Sequence, residues 1–232
     1  MKVSVVMPVY NERPYVEDVI GRVLATGIPD ELIIIDDAST DGTREALVRL
    51  KDGWKDIRPC LKLLFNETNM GKGAALRRGF GSITGSIVII QDSDLEYDPA
   101  DYPRLLRPIL VGKADIVYGS RFLGASHRVL FFWHMLGNKF LTFLSNLFSN
   151  LNLTDMETGY KAFRADVLKA ISLKSDRFGF EPEFTAKAAK AGFRIYETPV
   201  TYAGRTYKEG KKIKWTDGVA AIWHIIRFSL FN

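Results

Sequence analysis

Over its first 120 residues the chain alternates short aliphatic runs with helical patterns, and few architectures accommodate that rhythm. "KVSVVMP" (2–8), "ELIIIDD" (31–37), "CLKLLF" (60–65), "SIVIIQD" (86–92) and "ADIVYGS" (114–120) read as strands, nearly continuous in apolar character as strands covered on both faces must be. Between them "PYVEDVIGRVLATG", "DGTREALVRLKD", "GKGAALRRGFGSI" and "PADYPRLLRPIL" read as helices, with Thr40 or Asp41 as a cap and Gly27 or Gly53 past the ends. Strict alternation predicts an α/β fold, a mostly parallel central sheet with helices on both faces. Such sheets bind ligands at the carboxyl ends of their strands.

The polar clusters fall at those ends. "PVYNE" (8–12), "DDASTDGT" (36–43), "NETNMGKG" (66–73), "QDSDLE" (91–96) and "GSR" (119–121) follow the five strands in turn and predict a cleft along one sheet edge. If the strand continues through them, Asp92 and Asp94 point the same way, roughly 6 to 7 Å apart, and call for a positive charge between them. Hard cations such as Mg²⁺ or Mn²⁺ take oxygen ligands of this kind together with substrate phosphates, and Glu96 can add another oxygen. Helix capping or a solvated loop explains an isolated Asp-x-Asp equally well. At the second strand end, one aspartate of the Asp36–Asp37 pair is free to accept from a nucleobase imide or a ribose hydroxyl, Asp37 being better placed if Asp36 faces the helices.

"NMGKGAALRRG" puts two glycines and Lys72 at a helix start, where free N–H groups attract anions. It is not a dinucleotide fingerprint, because Leu76 stands where glycine or alanine is required and the motif follows the third strand; no P-loop occurs either. His127, His134 and His224 have no metal-ligand spacing and read as polar surface or core positions. In "FGFEPEF", Pro182 reads as a helix start, Glu183 as a capping acid, and Glu181 as either helix-start chemistry or a group facing the cleft.

The 232 residues, 47% hydrophobic and 25% charged, suit one soluble folded body. The single cysteine, Cys60, excludes an intramolecular disulfide and reads as a small core residue of a protein in a reducing compartment. The N-terminus carries no apolar stretch of signal-peptide length, so a cytoplasmic location is expected. A net charge of +5 favours anionic partners, and Arg205, Lys208, Lys211, Lys212 and Lys214 concentrate it in "RTYKEGKKIK". Nucleic acid is not expected, since no interleaved aromatic and basic motif occurs.

After residue 121 the pattern changes to an amphipathic helix (about 129–150), a strand "GYKAFR", a helix from about Pro182, a strand "RIYETPV" and a terminal helix. Without a linker or repeat, residues 1–121 and 122–232 read as a nucleotide-binding half and an acceptor half of a single domain. The aromatic-rich "VLFFWHMLGNKFLTFLSNLF" and "WTDGVAAIWHIIRFSLF" are either core-packing helices or helices lying in a membrane interface.

Taken together, "PVYNE", "DDASTDGT", "NMGKGAALRRG", "DSDLEYDP", "GSR", "ETGYKAFR", "GFEPEF" and "RTYKEGKKIKW" resemble glycosyltransferase family 2, in the branch similar to dolichyl-phosphate mannose and glucose synthases. The resemblance implies a GT-A nucleotide-sugar-binding fold and inverting transfer of mannose or glucose from GDP- or UDP-sugar to a polyprenyl (dolichyl or undecaprenyl) phosphate. It also implies a metal, Mg²⁺ or Mn²⁺, on Asp92, Asp94 and Glu96. Pro8, Tyr10, Glu12, Asp36, Asp37, Lys72, Asp92 and Ser93 then fall to the nucleotide sugar. Arg121, Arg128, Arg205 and Lys211 fall to the acceptor phosphate, and Asp94, Arg121 and Glu181 to catalysis. Related synthases often carry transmembrane helices beyond the catalytic domain; this chain stops at Asn232 without them, so it is expected to meet its lipid peripherally, at the membrane surface or with a separate membrane protein. A phosphate acceptor needs no strong base, whereas a hydroxyl acceptor requires a carboxylate such as Glu181 or Asp155. A family member acting on a sugar or protein hydroxyl, or a non-catalytic nucleotide-sugar-binding module, are the alternatives.

Overall fold

The computed structural model describes residues 1–53, 60–211 and 215–231, so Lys212 and Lys214 of the basic cluster lie outside the described residues. The first half comprises β1 (Val3–Val9), α1 (Val16–Ala25), β2 (Glu31–Asp36), α2 (Thr43–Gly53), β3 (Cys60–Phe65), α3 (Lys72–Phe80), β4 (Ile87–Ile90), α4 (Tyr102–Leu110) and β5 (Ile116–Ser120). The second comprises α5 (Phe132–Ser149), β6 (Lys161–Arg164), the one-turn α6 (Val167–Ala170), α7 (Phe180–Lys190), β7 (Ile195–Pro199) and α8 (Trp215–Leu230).

The strands form one sheet in the order β3-β2-β1-β4-β6-β5-β7. Neighbours run parallel except β6, which is antiparallel to both β4 and β5. The two-residue period of the strands divides their apolar runs between two cores. Val5, Met7, Leu32 and Ile34 pack with Val19, Ile20 and Leu105 on one face. Val6, Ile33, Ile35 and Ile90 pack with Leu76, Phe184 and Ile225 on the other. Each such side chain contributes about 1.5–3 kcal/mol of burial, and a one-residue slip would exchange the faces, so register is firmly held.

Three local expectations are corrected. Cys60 is exposed rather than core, because β3 is an edge strand and Cys60 begins it. Helix α7 starts at Phe180, placing Pro182 at its third residue and Glu181 inside its first turn. Strand β4 ends at Ile90, so Asp92, Asp94 and Glu96 lie in a turn beyond it, not along an extended strand. That turn carries Leu95 at φ 60, and the loops after β1 and β2 carry Asn11 at φ 50 and Ala38 at φ 62. Left-handed backbone at non-glycine residues costs energy and gathers where a loop must aim its groups.

Helices α5 and α8 pack together through an inner side that includes Leu141, Ala221 and Ile225. The other side of α5 is bare. Phe132, Trp133, Leu136, Phe140, Phe143 and Leu147 form an exposed stripe at three- and four-residue steps, with Trp133 76% accessible, and Val219, Trp223 and Leu230 are exposed on α8. Among the described residues no helix is long and apolar enough to cross a membrane.

Candidate active site

The loops at the carboxyl ends of β1, β2 and β4 and the segment after β7 bring the acidic and basic groups together. Asp36 ends β2 fully buried and takes a 2.7 Å bond from Arg44 Nε of α2, so it faces the helix layer. Asp37 accepts from Asn66 Nδ2 (2.7 Å), Asn69 Nδ2 (3.0 Å) and the backbone N–H groups of Met70 (3.0 Å) and Gly71 (2.6 Å). The anion at the start of α3 is therefore the chain's own Asp37, which organises the 66–71 loop. The glycines there serve close packing: a Cβ on Gly71 or Gly73 would collide with the backbone of residues 175–177. Glu183, read as a cap, instead accepts from the N–H groups of Lys174 (2.8 Å) and Ser175 (2.6 Å) and holds the loop on which Gly73 rests.

Lys72 turns away from α3 toward the β4 end. Its ammonium is 2.9 Å from Asp92 and 3.0 Å from Glu181, joining the first acid of Asp-x-Asp to α7. Burial opposes its charge, but Asp92 and Glu181 outweigh that and raise its pKa. Ser93 donates to the Pro8 carbonyl at 3.1 Å, pinning the turn to β1. Gly159 admits Asp92, since a Cβ there would meet its carboxylate.

Arg205 serves the remaining acids. Its guanidinium grips Glu12 in a fork (2.9 and 3.1 Å) and reaches Asp94 at 3.2 Å, while its backbone N–H donates to Glu96 Oε1 at 2.7 Å. Tyr202 donates to the other Glu96 oxygen at 2.8 Å. Burial, then Glu96 and Asp92, push Asp94 up to about 7 even with Arg205 beside it. Tyr10 stands exposed at the rim.

Arg121 follows β5 and is locked on fully buried Asp155 by two 2.6 Å bonds, with the Tyr202 ring 5.2 Å away. Breaking a buried pair of this kind costs about 3–5 kcal/mol. Arg128 pairs with Glu209 at 2.9 Å, and Lys211 lies half-buried over the Phe131 ring at 5.7 Å, its pKa lowered by burial. Tyr207 and His134 Nε2, 2.9 Å apart, tie the segment that carries Arg205 and Lys211 to α5. All four cations expected at the acceptor phosphate, Arg121, Arg128, Arg205 and Lys211, thus gather on or beside residues 201–211.

Two charged groups escaped the sequence reading. Lys161 is fully buried in β6, and burial lowers its pKa to about 8 while it donates to the Thr158 carbonyl and lies 4.7 Å from the Tyr118 ring. Burial, reinforced by Glu181, raises Glu157 to about 8, and its buried Oε1 has no hydrogen-bond partner among the described residues. The signal was present: an acid and a lysine bracket "TGY" at the entry to a short apolar strand.

Asp92, Asp94 and Glu96 offer oxygen donors only, a set that suits Mg²⁺ or Mn²⁺. Among the described residues no group of three or more His, Cys, Asp or Glu is arranged so that it could by itself hold a metal ion. Lys72 and Arg205 meet the negative charge instead. The donor chemistry fits a hard divalent cation.

Comparison with known proteins gives a consistent result. The profile of Glycosyl transferase family 2 matches residues 4–172. The undecaprenyl-phosphate mannosyltransferase of Micrococcus luteus is 33% identical over 99% of both chains. The dolichol-phosphate mannosyltransferase of Pyrococcus furiosus is 28% identical over 91% of this chain and 59% of its own. Glucosyl-3-phosphoglycerate synthase of Mycobacterium tuberculosis, crystallised with Mn²⁺, UDP and glucosyl-3-phosphoglycerate, shares the fold with a TM-score of 0.74 at 22% identity, over 99% of this chain and 78% of that one. The same enzyme with Mg²⁺ and UDP gives 0.71.

Proposed function

Because the chain belongs to glycosyl transferase family 2 and is a glycosyltransferase of GT-A fold, we propose that it moves a hexose with inversion from a nucleoside-diphosphate sugar to a polyprenyl phosphate at a membrane surface. Mannose is the favoured sugar, since two relatives are named for mannosyl transfer to lipid phosphates. One observation carries the choice of acceptor. The two carboxylates weighed as bases for a hydroxyl are closed by cations, Glu181 by Lys72 and Asp155 by Arg121. A lipid phosphate is already anionic near neutral pH and needs no such base.

The chain's own groups divide the work. Pro8, Tyr10, Glu12 and the loop held by Asp37 surround the nucleoside. Asp92, Asp94 and Glu96 hold the divalent cation, which when bound neutralises charge on the leaving diphosphate. Arg205 and Lys211 add positive charge where the glycosidic bond breaks, and donors fixed in advance stabilise a developing charge most effectively. Arg121 and Arg128 receive the acceptor phosphate, which enters opposite the leaving group and inverts the anomeric carbon. Glu157, which burial keeps protonated at neutral pH, does not serve as a base.

The α5 stripe supports interfacial docking. A face of Phe, Trp and Leu with Lys139 and Lys211 beside it suits the boundary of an anionic bilayer, where apolar groups sink and basic groups meet headgroups. The start of α5 is bonded to the segment that carries Arg205, so docking there brings a lipid phosphate to the cleft.

The test is to offer labelled GDP-mannose and UDP-glucose separately, with undecaprenyl phosphate or a simple sugar hydroxyl as acceptor, and to follow label into the organic phase. Lipid labelling from one donor is expected. Label on the hydroxyl acceptor alone would replace the lipid-phosphate assignment.

A further inference from the structure

We infer that Arg205 is the resident counter-ion of the cation site: without metal its guanidinium occupies the charge position among Glu12, Asp94 and Glu96, and binding of a divalent cation with a nucleoside diphosphate moves it from those carboxylates to the diphosphate. The inference rests on the metal-dependent reading above and adds to it an exchange that couples two ligands.

The seat of Arg205 is well bonded but imperfect. Two of its nitrogens serve Glu12 and Asp94, and the side chain lies over the Tyr15 ring at 5.4 Å. Its Nε is buried without a hydrogen-bond partner among the described residues, Glu96 Oε1 standing 3.7 Å away. An arginine placed there for stability alone would be expected to use its whole fork, and a buried unsatisfied donor costs about 1–3 kcal/mol. A planar guanidinium and a compact divalent ion cannot share one set of oxygens.

The surroundings permit a side-chain exchange without refolding. The backbone beneath Arg205 is fixed, with Ala203 N–H bonded to the Glu96 carbonyl at 2.9 Å and Tyr202 bridged to Tyr97 and His127. The arginine side chain is long enough to leave the acids while the backbone stays. A metal alone must displace Arg205 into water, whereas a metal with a diphosphate supplies a new anionic partner for it. Each ligand therefore raises the affinity of the other, and by linkage the effect is reciprocal.

The experiment is a Mn²⁺ titration followed by the electron paramagnetic resonance of the free ion, on wild type and Arg205→Gln, first without nucleotide and then with saturating UDP or GDP. Without nucleotide the variant is expected to bind Mn²⁺ about tenfold more tightly than wild type, and with nucleotide that advantage is expected to vanish or reverse. Equal Mn²⁺ affinity of the two nucleotide-free proteins, with tight binding by wild type once nucleotide is added, would overturn the exchange and leave the metal site standing. Absence of Mn²⁺ binding by wild type even with both nucleotides would overturn the metal-dependent reading and the exchange with it. Should the glutamine variant fail to fold, Arg205→Lys carries the test: without the fork on Glu12 it is expected to bind Mn²⁺ alone about threefold more tightly, and unchanged affinity overturns the inference.

Discussion

Two strand ends in this molecule carry paired acids after a buried apolar run, and their partners differ in origin and, for Asp37, in charge. At the end of β2, Asp36 is met by Arg44 of the adjoining helix and Asp37 by two asparagines and two backbone N–H groups. At the end of β4, Asp92 and Asp94 are met by Lys72 and Arg205, long basic side chains reaching in from other parts of the chain. Four neutral donors from one tight loop close Asp37 and Arg44 of the adjoining helix closes Asp36, whereas Lys72 and Arg205 each span two acids from separate parts of the chain and carry the charge that, on this account, an incoming cation replaces. The charge of the partner separates Asp37 from the β4 acids, and the origin of the arginine, the adjoining helix or a distant segment, separates Asp36 from Asp94.

The contrast fails or sharpens on four measurements. Asp94→Asn is expected to lower sugar transfer about 100- to 1000-fold with little change in thermal stability, and an unaltered rate would remove its assigned role. Asp37→Ala is expected to destabilise the fold by about 3 kcal/mol in urea titration, through the donors left unpaired on the 66–71 loop. A loss of transfer with no loss of stability would instead make Asp37 resemble the β4 acids. Away from the cleft, outward-facing Trp133 has the solvent as its partner; Trp133→Ser is expected to weaken sedimentation with anionic vesicles about tenfold while leaving the melting temperature alone. Equal vesicle binding would assign the α5 stripe to something other than a bilayer.

The smallest effect concerns Glu157, whose buried Oε1 has no hydrogen-bond partner among the described residues. Its folded pKa of about 8 lies above the ordinary 4.5, so its favourable contribution is complete below 4.5 and is lost as pH rises through 8. Glu157→Gln is therefore expected to match wild type in acid and to exceed it in stability above pH 8. Parallel stability curves would show that Glu157 is ionised throughout.

The alternating half of the fold was legible because strands covered on both faces produce unbroken apolar runs, and the cleft was legible because the polar clusters follow those runs. The same rule misjudged Cys60, since an apolar run reads alike in a central and an edge strand. The antiparallel placement of β6 between β4 and β5 was not legible, because four residues of pairing carry no directional signature. At the site, the acids could be named but their partners could not. Arg205 lies 193 residues from Glu12 and 111 from Asp94, and only the closed sheet brings them together. Whether the aromatic helices pack inward or outward was likewise undecided by periodicity, which is the same for a core stripe and an exposed one; the bare side of α5 became visible only with α8 in place.

The most direct test strips the protein with EDTA, supplies labelled sugar nucleotide and polyprenyl phosphate, and titrates Mn²⁺ or Mg²⁺ back while label is counted in the lipid phase. The account predicts no lipid labelling without metal and full recovery on its return in wild type, with no recovery in Asp94→Asn. Transfer that proceeds unchanged in EDTA would contradict it.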